Sequence, residues 1–229
     1  MHEPAQSKPE RWLQSTDGDA SFSRALSQGL DTPLTALRAA METLGHELRS
    51  GEDVGALRIE GVLEEVELLG KNVRELCELA SSPVPRPLNC TLDEIVNSAR
   101  APLTPEQRRR VLAARREPAE ALRVDGPLLA QALRRIIENA LEATDDFVLL
   151  HAHVDGGHAR FSVLDGSQSE LGPDWRPTPF RTTKPNRLGL GLTLTQRDVS
   201  LLDGTLEFPS MPNGRTCVRI SIPLMEQAQ

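Results

Sequence analysis

"PFRTTKPNRLGLGLTLTQRDVSLLDGTLEF" fills residues 179–208. A loop rich in Pro and Thr gives way to Gly-Leu-Gly-Leu, then to a helical pattern that runs to about 202, then to the strand-like "GTLEF". Gly189 and Gly191 stand where the loop becomes the helix. Without Cβ atoms they let the backbone approach an anion, and a helix N-terminus offers unpaired N–H groups and the positive end of its dipole. Thr182, Thr183 and Lys184 place two hydroxyls and a cation just upstream. Polyphosphate is the natural guest of such a segment. A Gly-x-Gly pair alone also suits a flexible turn, so the specificity lies in the block as a whole.

Two other segments carry compatible chemistry. In "LRRIIENALEAT" (133–144), Leu133, Ile136, Ile137, Ala140 and Leu141 form one apolar helix face. Asn139 therefore projects from a different part of the helix, and its amide oxygen is a suitable hard ligand for Mg²⁺. Glu138 and Glu142 stand ready to assist through water or hydrogen bonds. Taken alone, the segment also reads as an ordinary amphipathic helix. In "FSVLDGSQ" (161–168), Asp165 ends a strand, where a carboxylate can accept a hydrogen bond from an exocyclic amine; Asp-Gly also simply makes turns.

The rest of the chain divides by period. From Leu26 to Leu48 the apolar residues fall at 26, 30, 34, 37, 41, 44 and 48, the seam of a bundle helix. "SGEDVG" (50–55) interrupts the pattern, and a second seam follows from Ile59 to Ala80. Residues 20–82 thus read as a helical hairpin. Two such stripes are buried by pairing with a second copy into a four-helix bundle, or else by packing on the chain's own remainder. Residues 1–19 read as disordered and the Pro-rich 83–89 as a stiff linker. Residues 90–229 form an α+β domain: short helix 92–99 with a Thr91–Glu94 capping box, strands near 111–113 and 122–124, a long helix 127–143, and a hairpin around "DGG". A helix from about 189 and two closing strands complete it.

Composition narrows the function. The 229 residues are 38% hydrophobic and 26% charged, and no apolar run approaches the ~20 residues of a membrane span. The polar N-terminus lacks a signal-peptide core, so a cytoplasmic protein without a membrane role is expected. Cys77, Cys90 and Cys217 are far apart and read as reduced thiols. A net charge of −7 speaks against nucleic-acid binding, and Arg108–Arg110 with Arg115 and Arg116 read as a solvated basic surface. His151 and His153 share a strand face across from His158; surface strand histidines are the simpler reading and a metal site the alternative.

In their order, these segments resemble the ATP-binding domain of two-component sensor histidine kinases, within the wider gyrase–Hsp90–kinase–MutL group. "IIENALEAT" looks like the N box, implying Asn139 as Mg²⁺ ligand with Glu138 beside it. "VLDGSQ" takes the place of the G1 box, so Asp165 would read the adenine amino group. "PFRTTK" resembles the F box and lid, "GLGL" (189–192) the phosphate-wrapping G2 box, and "NGRTCVRISIP" the final strand, where Thr216 would join the adenine network. The resemblance implies ATP and Mg²⁺ as cofactors and an α/β-sandwich fold. Two departures stand out. Asp165 is followed by Gly-Ser-Gln-Ser where the family reads Asp-x-Gly-x-Gly. Arg135 stands four residues before Asn139, where members carry Asn or a catalytic Glu, and an arginine does not serve as general base at neutral pH.

The hairpin resembles the dimerisation and phosphoacceptor hairpin of the same kinases. "QGLDTPLTALRAAMETL" aligns with the H box: Thr32, Pro33 and Leu34 match, but Gln28 replaces the phosphoacceptor histidine and Gly29 the neighbouring acid. A glutamine amide nitrogen is delocalised and poorly nucleophilic. Self-phosphorylation at the H box is therefore expected to be absent. His46 lies 18 residues further on, five helical turns and about 27 Å along the same face, and is the alternative acceptor. Thr32 matches a position that orients water in members that dephosphorylate their regulators. The expectation is a degenerate, homodimeric, ATP-binding histidine-kinase-like signalling protein whose partner is a response-regulator receiver domain or another histidine kinase. An active kinase using His46 and a scaffold needing no nucleotide are the alternatives.

Overall fold

The computed structural model describes residues 18–50, 56–81, 83–115, 122–168, 175–184, 187–212 and 214–224. The expected disorder of 1–19 and the break after Ser50 fall almost wholly outside these residues, as do the side chains of Gln28 and Thr32. The chain forms two compact units. One runs to Cys77 and includes Phe180–Leu188; the other comprises Glu78–Pro179 and Gly189 onward.

The first unit holds α1 (Gly18–Ser50) and α2 (Ala56–Ala80), though the last turn of α2 belongs to the second unit. Both helices follow the apolar seams. Leu34, Met41, Ile59, Val66 and Val73 remain exposed on them, while Asn72 is fully buried. His46 is an exposed residue near the end of α1.

The second unit is built of two layers. A five-stranded sheet has the order β2 (Val111–Arg115), β4 (Val148–Asp155), β5 (His158–Gln168), β7 (Arg215–Pro223), β6 (Thr205–Glu207). Only the β2–β4 pairing is parallel; the others are antiparallel. Val148, Leu150 and Ala152 alternate inward along β4, opposite Val163 and Phe161 on β5, and these pair on with Val218 and Ile220 of β7. The inward face is covered by α3 (Leu92–Arg100) and α5 (Gly126–Ala143), with α6 (Gly191–Leu201) packed beside α5. Burying each such side chain contributes about 1.5–3 kcal/mol.

Local chemistry sets the element ends. Thr91 and Glu94 form the expected capping box on α3. Asp125 caps α5 by accepting the Leu128 N–H at 2.9 Å, and its other oxygen accepts the Arg86 N–H at 2.7 Å. The Pro-rich stretch is thereby tied down, and it runs into β1 (Leu88–Cys90), which pairs antiparallel with β3 (Leu122–Val124). A strand of three residues is too short for its period to show in the sequence. A further helix, α4 (Pro105–Arg110), rests on a Thr104–Gln107 capping box. Its arginines do more than face solvent: Arg108 donates to the carbonyls of Ala101 and Leu103, and Arg110 to those of Thr144 and Asp146.

The C-terminus of α6 is closed by a Schellman motif. The Gly204 N–H bonds the Val199 carbonyl at 2.9 Å and the Asp203 N–H that of Ser200 at 3.1 Å, with Asp203 in the left-handed region at φ 55°. The chain then passes so close to β7 that a Cβ at Gly204 would stand 2.4 Å from Ile222 Cδ1 and 2.7 Å from the Ser221 carbonyl oxygen. Backbone cannot yield as a flexible side chain can. Gly204→Ala is expected to cost about 1–3 kcal/mol, read from urea unfolding; an unchanged midpoint would show that α6 and β7 can part freely.

Candidate nucleotide site

Arg135 organises the helical layer of the second unit. It is 8% exposed and donates through Nη1 to Asp198 Oδ2 and through Nη2 to Glu78 Oε2, both at 2.6 Å. Asp198 on α6 is fully buried, and its other oxygen accepts from Arg197 Nη2 at 2.8 Å. Arg197 also donates to the carbonyls of Glu78 and Ser81, and Gln131 to Glu78 Oε1 at 2.9 Å. Burial pulls the Arg135 guanidinium down, but the Asp198 and Glu78 carboxylates outweigh it and hold it above its ordinary range. The residue at this place is thus consumed in structure and has no free lone pair for proton transfer.

One turn beyond Arg135, Asn139 and Glu138 are half-buried, and Glu138 lies 3.6 Å from Arg134. Beside α5, the first turn of α6 has no side-chain cap. The first helical bond is Leu194 N–H to the Leu190 carbonyl at 2.8 Å, so the amides of Gly191, Leu192 and Thr193 have no intrahelical acceptor. Gly189 holds a left-handed φ of 69°, and a Cβ at Gly191 would meet nothing within 4 Å. Thr193 is 9% exposed, and its hydroxyl is buried with no hydrogen-bond partner. Amides without an intrahelical acceptor, an orphaned hydroxyl and open space together suit phosphate oxygens. Thr193 had no signal in the sequence beyond its place in the block.

The third element is a bulge at the end of β5. Leu164 pairs with Cys217 and Gln168 with Arg215, so three residues of β5 stand opposite Thr216 alone. The bulge gathers Asp165, Ser167 and Thr216. Asp165 is 6% exposed, and its Oδ1 accepts both the Ser167 N–H at 2.8 Å and the Ser167 hydroxyl. The Ser167 and Thr216 hydroxyl oxygens are 2.9 Å apart. Gly166 faces the segment that follows α5: a Cβ there would lie 3.2 Å from Asp146 Oδ2 and 3.3 Å from Thr144 Oγ1. Bulge, α5 and the start of α6 all belong to the second unit, and α5 packs against both β5 and α6.

Thr182, Thr183 and Lys184 fall in the other unit. There Thr182 and Thr183 are exposed, Lys184 is half-buried, and the Lys184 N–H bonds the Thr182 hydroxyl at 3.0 Å. His151 and His153 are in tilted ring contact at 4.7 Å. Burial first, and then His151, lower the His153 pKa. Among the described residues no group of three His, Cys, Asp or Glu side chains could hold a metal ion.

Residues 124–226 match the family described as histidine kinase-, DNA gyrase B-, and HSP90-like ATPase. This segment is a histidine-kinase-like ATPase domain. Over 212 residues the chain is 28% identical to the sensor protein KdpD of Escherichia coli strain K12, covering 87% of this chain and 24% of KdpD. Over 198 residues it is 29% identical to the C4-dicarboxylate transport sensor protein DctB of Rhizobium meliloti strain 1021, covering 82% and 32%. The chain therefore spans about a quarter to a third of the length of these curated relatives. Its fold resembles that of the histidine kinase ThkA, solved in complex with the response regulator protein TrrA. The TM-score is 0.70 at 16% identity, covering 91% of this chain and 63% of that one. Together the domain match and these relatives support the two-component sensor kinase family. No helix among the described residues is long and apolar enough to cross a membrane.

The ATPase domain leans on the Arg135 cluster. Arg135→Met leaves Asp198 with Arg197 as its one remaining cation and is expected to cost about 3 kcal/mol in urea unfolding. Adding Asp198→Asn should recover a large part of that loss; additive costs in the double variant would show that the two side chains are not coupled.

Proposed function

We propose that the chain binds Mg-ATP in the second unit and serves two-component signalling without an H-box phosphoacceptor. What carries this reading is one arrangement: β5, which ends in the Asp165 bulge, and α6, whose start is uncapped, both pack against α5, the helix that bears Asn139. In this reading Asp165 and Thr216 hold the adenine edge. Gly189, Gly191 and the free amides of α6 hold the phosphates. Asn139 supplies an oxygen to Mg²⁺, with Glu138 beside it. Mg²⁺ when bound would neutralise phosphate charge. Arg135, held by two carboxylates, does not activate water, which favours nucleotide binding over efficient hydrolysis.

Gln28 and Gly29 provide neither the imidazole nor the acid for ordinary self-phosphorylation. The output of the protein is then a conformation set by nucleotide and read by a receiver domain or a partner kinase. ThkA, whose fold is similar, was crystallised with a response regulator. Calorimetric titration with Mg-ATP tests the proposal directly. Binding is expected for the wild type and a loss of at least tenfold for Asn139→Ala, while labelled ATP leaves no acid-labile label on the protein. Silence at millimolar ATP would favour a nucleotide-independent scaffold, and acid-labile label removed by His46→Ala would reveal an active kinase.

The chain is also proposed to work as a homodimer. The exposed Leu34, Met41, Ile59, Val66 and Val73 on α1 and α2 are apolar surface that a second copy would bury in a four-helix bundle. Met41→Glu is expected to shift sedimentation from dimer to monomer; a wild-type monomer at tens of micromolar would refute the bundle.

A further inference from the structure

The hydroxyl of Ser167 sits inside the group of atoms proposed to read the base. Its oxygen lies within hydrogen-bond reach of both Asp165 Oδ1 and Thr216 Oγ1. The direction of these bonds is fixed by proton count. A carboxylate only accepts, so the single Ser167 proton goes to Asp165. The 2.9 Å contact to Thr216 then needs the Thr216 proton, which points at Ser167 Oγ. The other acceptor within reach of Thr216, at 3.4 Å, is the carbonyl of Ser167 itself. The chain runs Thr216 O–H to Ser167 O–H to Asp165 Oδ1, and both hydroxyl protons are spent inside the protein.

We infer that Ser167 is a built-in competitor for the base-reading groups, and that it weakens nucleotide binding at this site. The inference rests on the adenine role of Asp165 and Thr216 proposed above. With both protons engaged, Asp165, Ser167 and Thr216 offer a ligand only lone pairs. They can accept from an amine but cannot donate to a ring nitrogen beside it. An adenine edge carries both kinds of atom, so it must break the Thr216–Ser167 bond to be read in full. Without the Ser167 hydroxyl, the Thr216 proton is free for the ring nitrogen, and Asp165 keeps the Ser167 amide bond that shapes the bulge. Ser167 does not have a left-handed φ, so alanine fits its backbone.

The test is calorimetric titration of the full chain with Mg-ATP. Ser167→Ala is expected to bind about fivefold more tightly than the wild type, the worth of one net hydrogen bond. The gain should vanish in Ser167→Ala/Thr216→Val. It should vanish also with a deaza-ATP that keeps the amine but lacks the adjacent ring nitrogen, tried as the 1-deaza and 7-deaza forms; a merely structural effect would persist with both. Ser167→Gly serves as the second variant should alanine lower the melting temperature. A wild type that binds while both Ser167 variants bind equally or more weakly would overturn the inference and leave the ATP reading standing. No binding by any variant at millimolar ATP would overturn both.

Discussion

A guanidinium enclosed by carboxylates from two other helices governs the helical layer. Arg135 reaches from α5 to Asp198 on α6 and to Glu78 in the last turn of α2. Asp198 is fully buried, and a charge in that position is tolerated only with partners at hydrogen-bond distance. Those partners fix where α6 lies along α5. They also hold the final turn of α2 within the ATPase unit, so the boundary between the two compact units falls inside a helix, at Cys77 and Glu78, and not in the proline run that follows. The cluster thereby ties α5, which bears Asn139, to α6.

The same cluster bears on chemistry. General-base action on water needs a side chain with a lone pair. Arg135 carries none and is tied at both ends. Its charge has been turned to holding the domain together. In the first unit, Gln28 is an amide, a poor nucleophile.

The bulge in β5 shows how a strand end becomes a site. Three residues opposite one break the ladder, and the freed groups turn toward each other: a carboxylate, an amide and two hydroxyls within hydrogen-bond reach. Gly166 lets the segment after α5 approach the bulge, where any larger side chain would press on Thr144 and Asp146.

Much of the fold was legible from period alone. The seams from Leu26 to Leu48 and from Ile59 to Ala80 mark α1 and α2, and the alternation around Gly156 marks β4 and β5, because burial of one face leaves its spacing in the sequence. The capping box at Thr91 and Glu94 was equally local. Residues of the proposed site could be named from their block order. What the sequence could not contain was the fate of side chains whose partners lie far along the chain. Arg135 stands out in the sequence only as a departure from the family pattern; its partner Asp198, 63 positions away, is brought beside it by the fold. Ser167 has no role in the sequence beyond following Asp165-Gly166, until the register slip delivers Thr216, 49 positions on. Local propensity and periodicity act over a few residues and are written in order; burial of charge and the routing of a proton depend on neighbours that only the folded chain assembles.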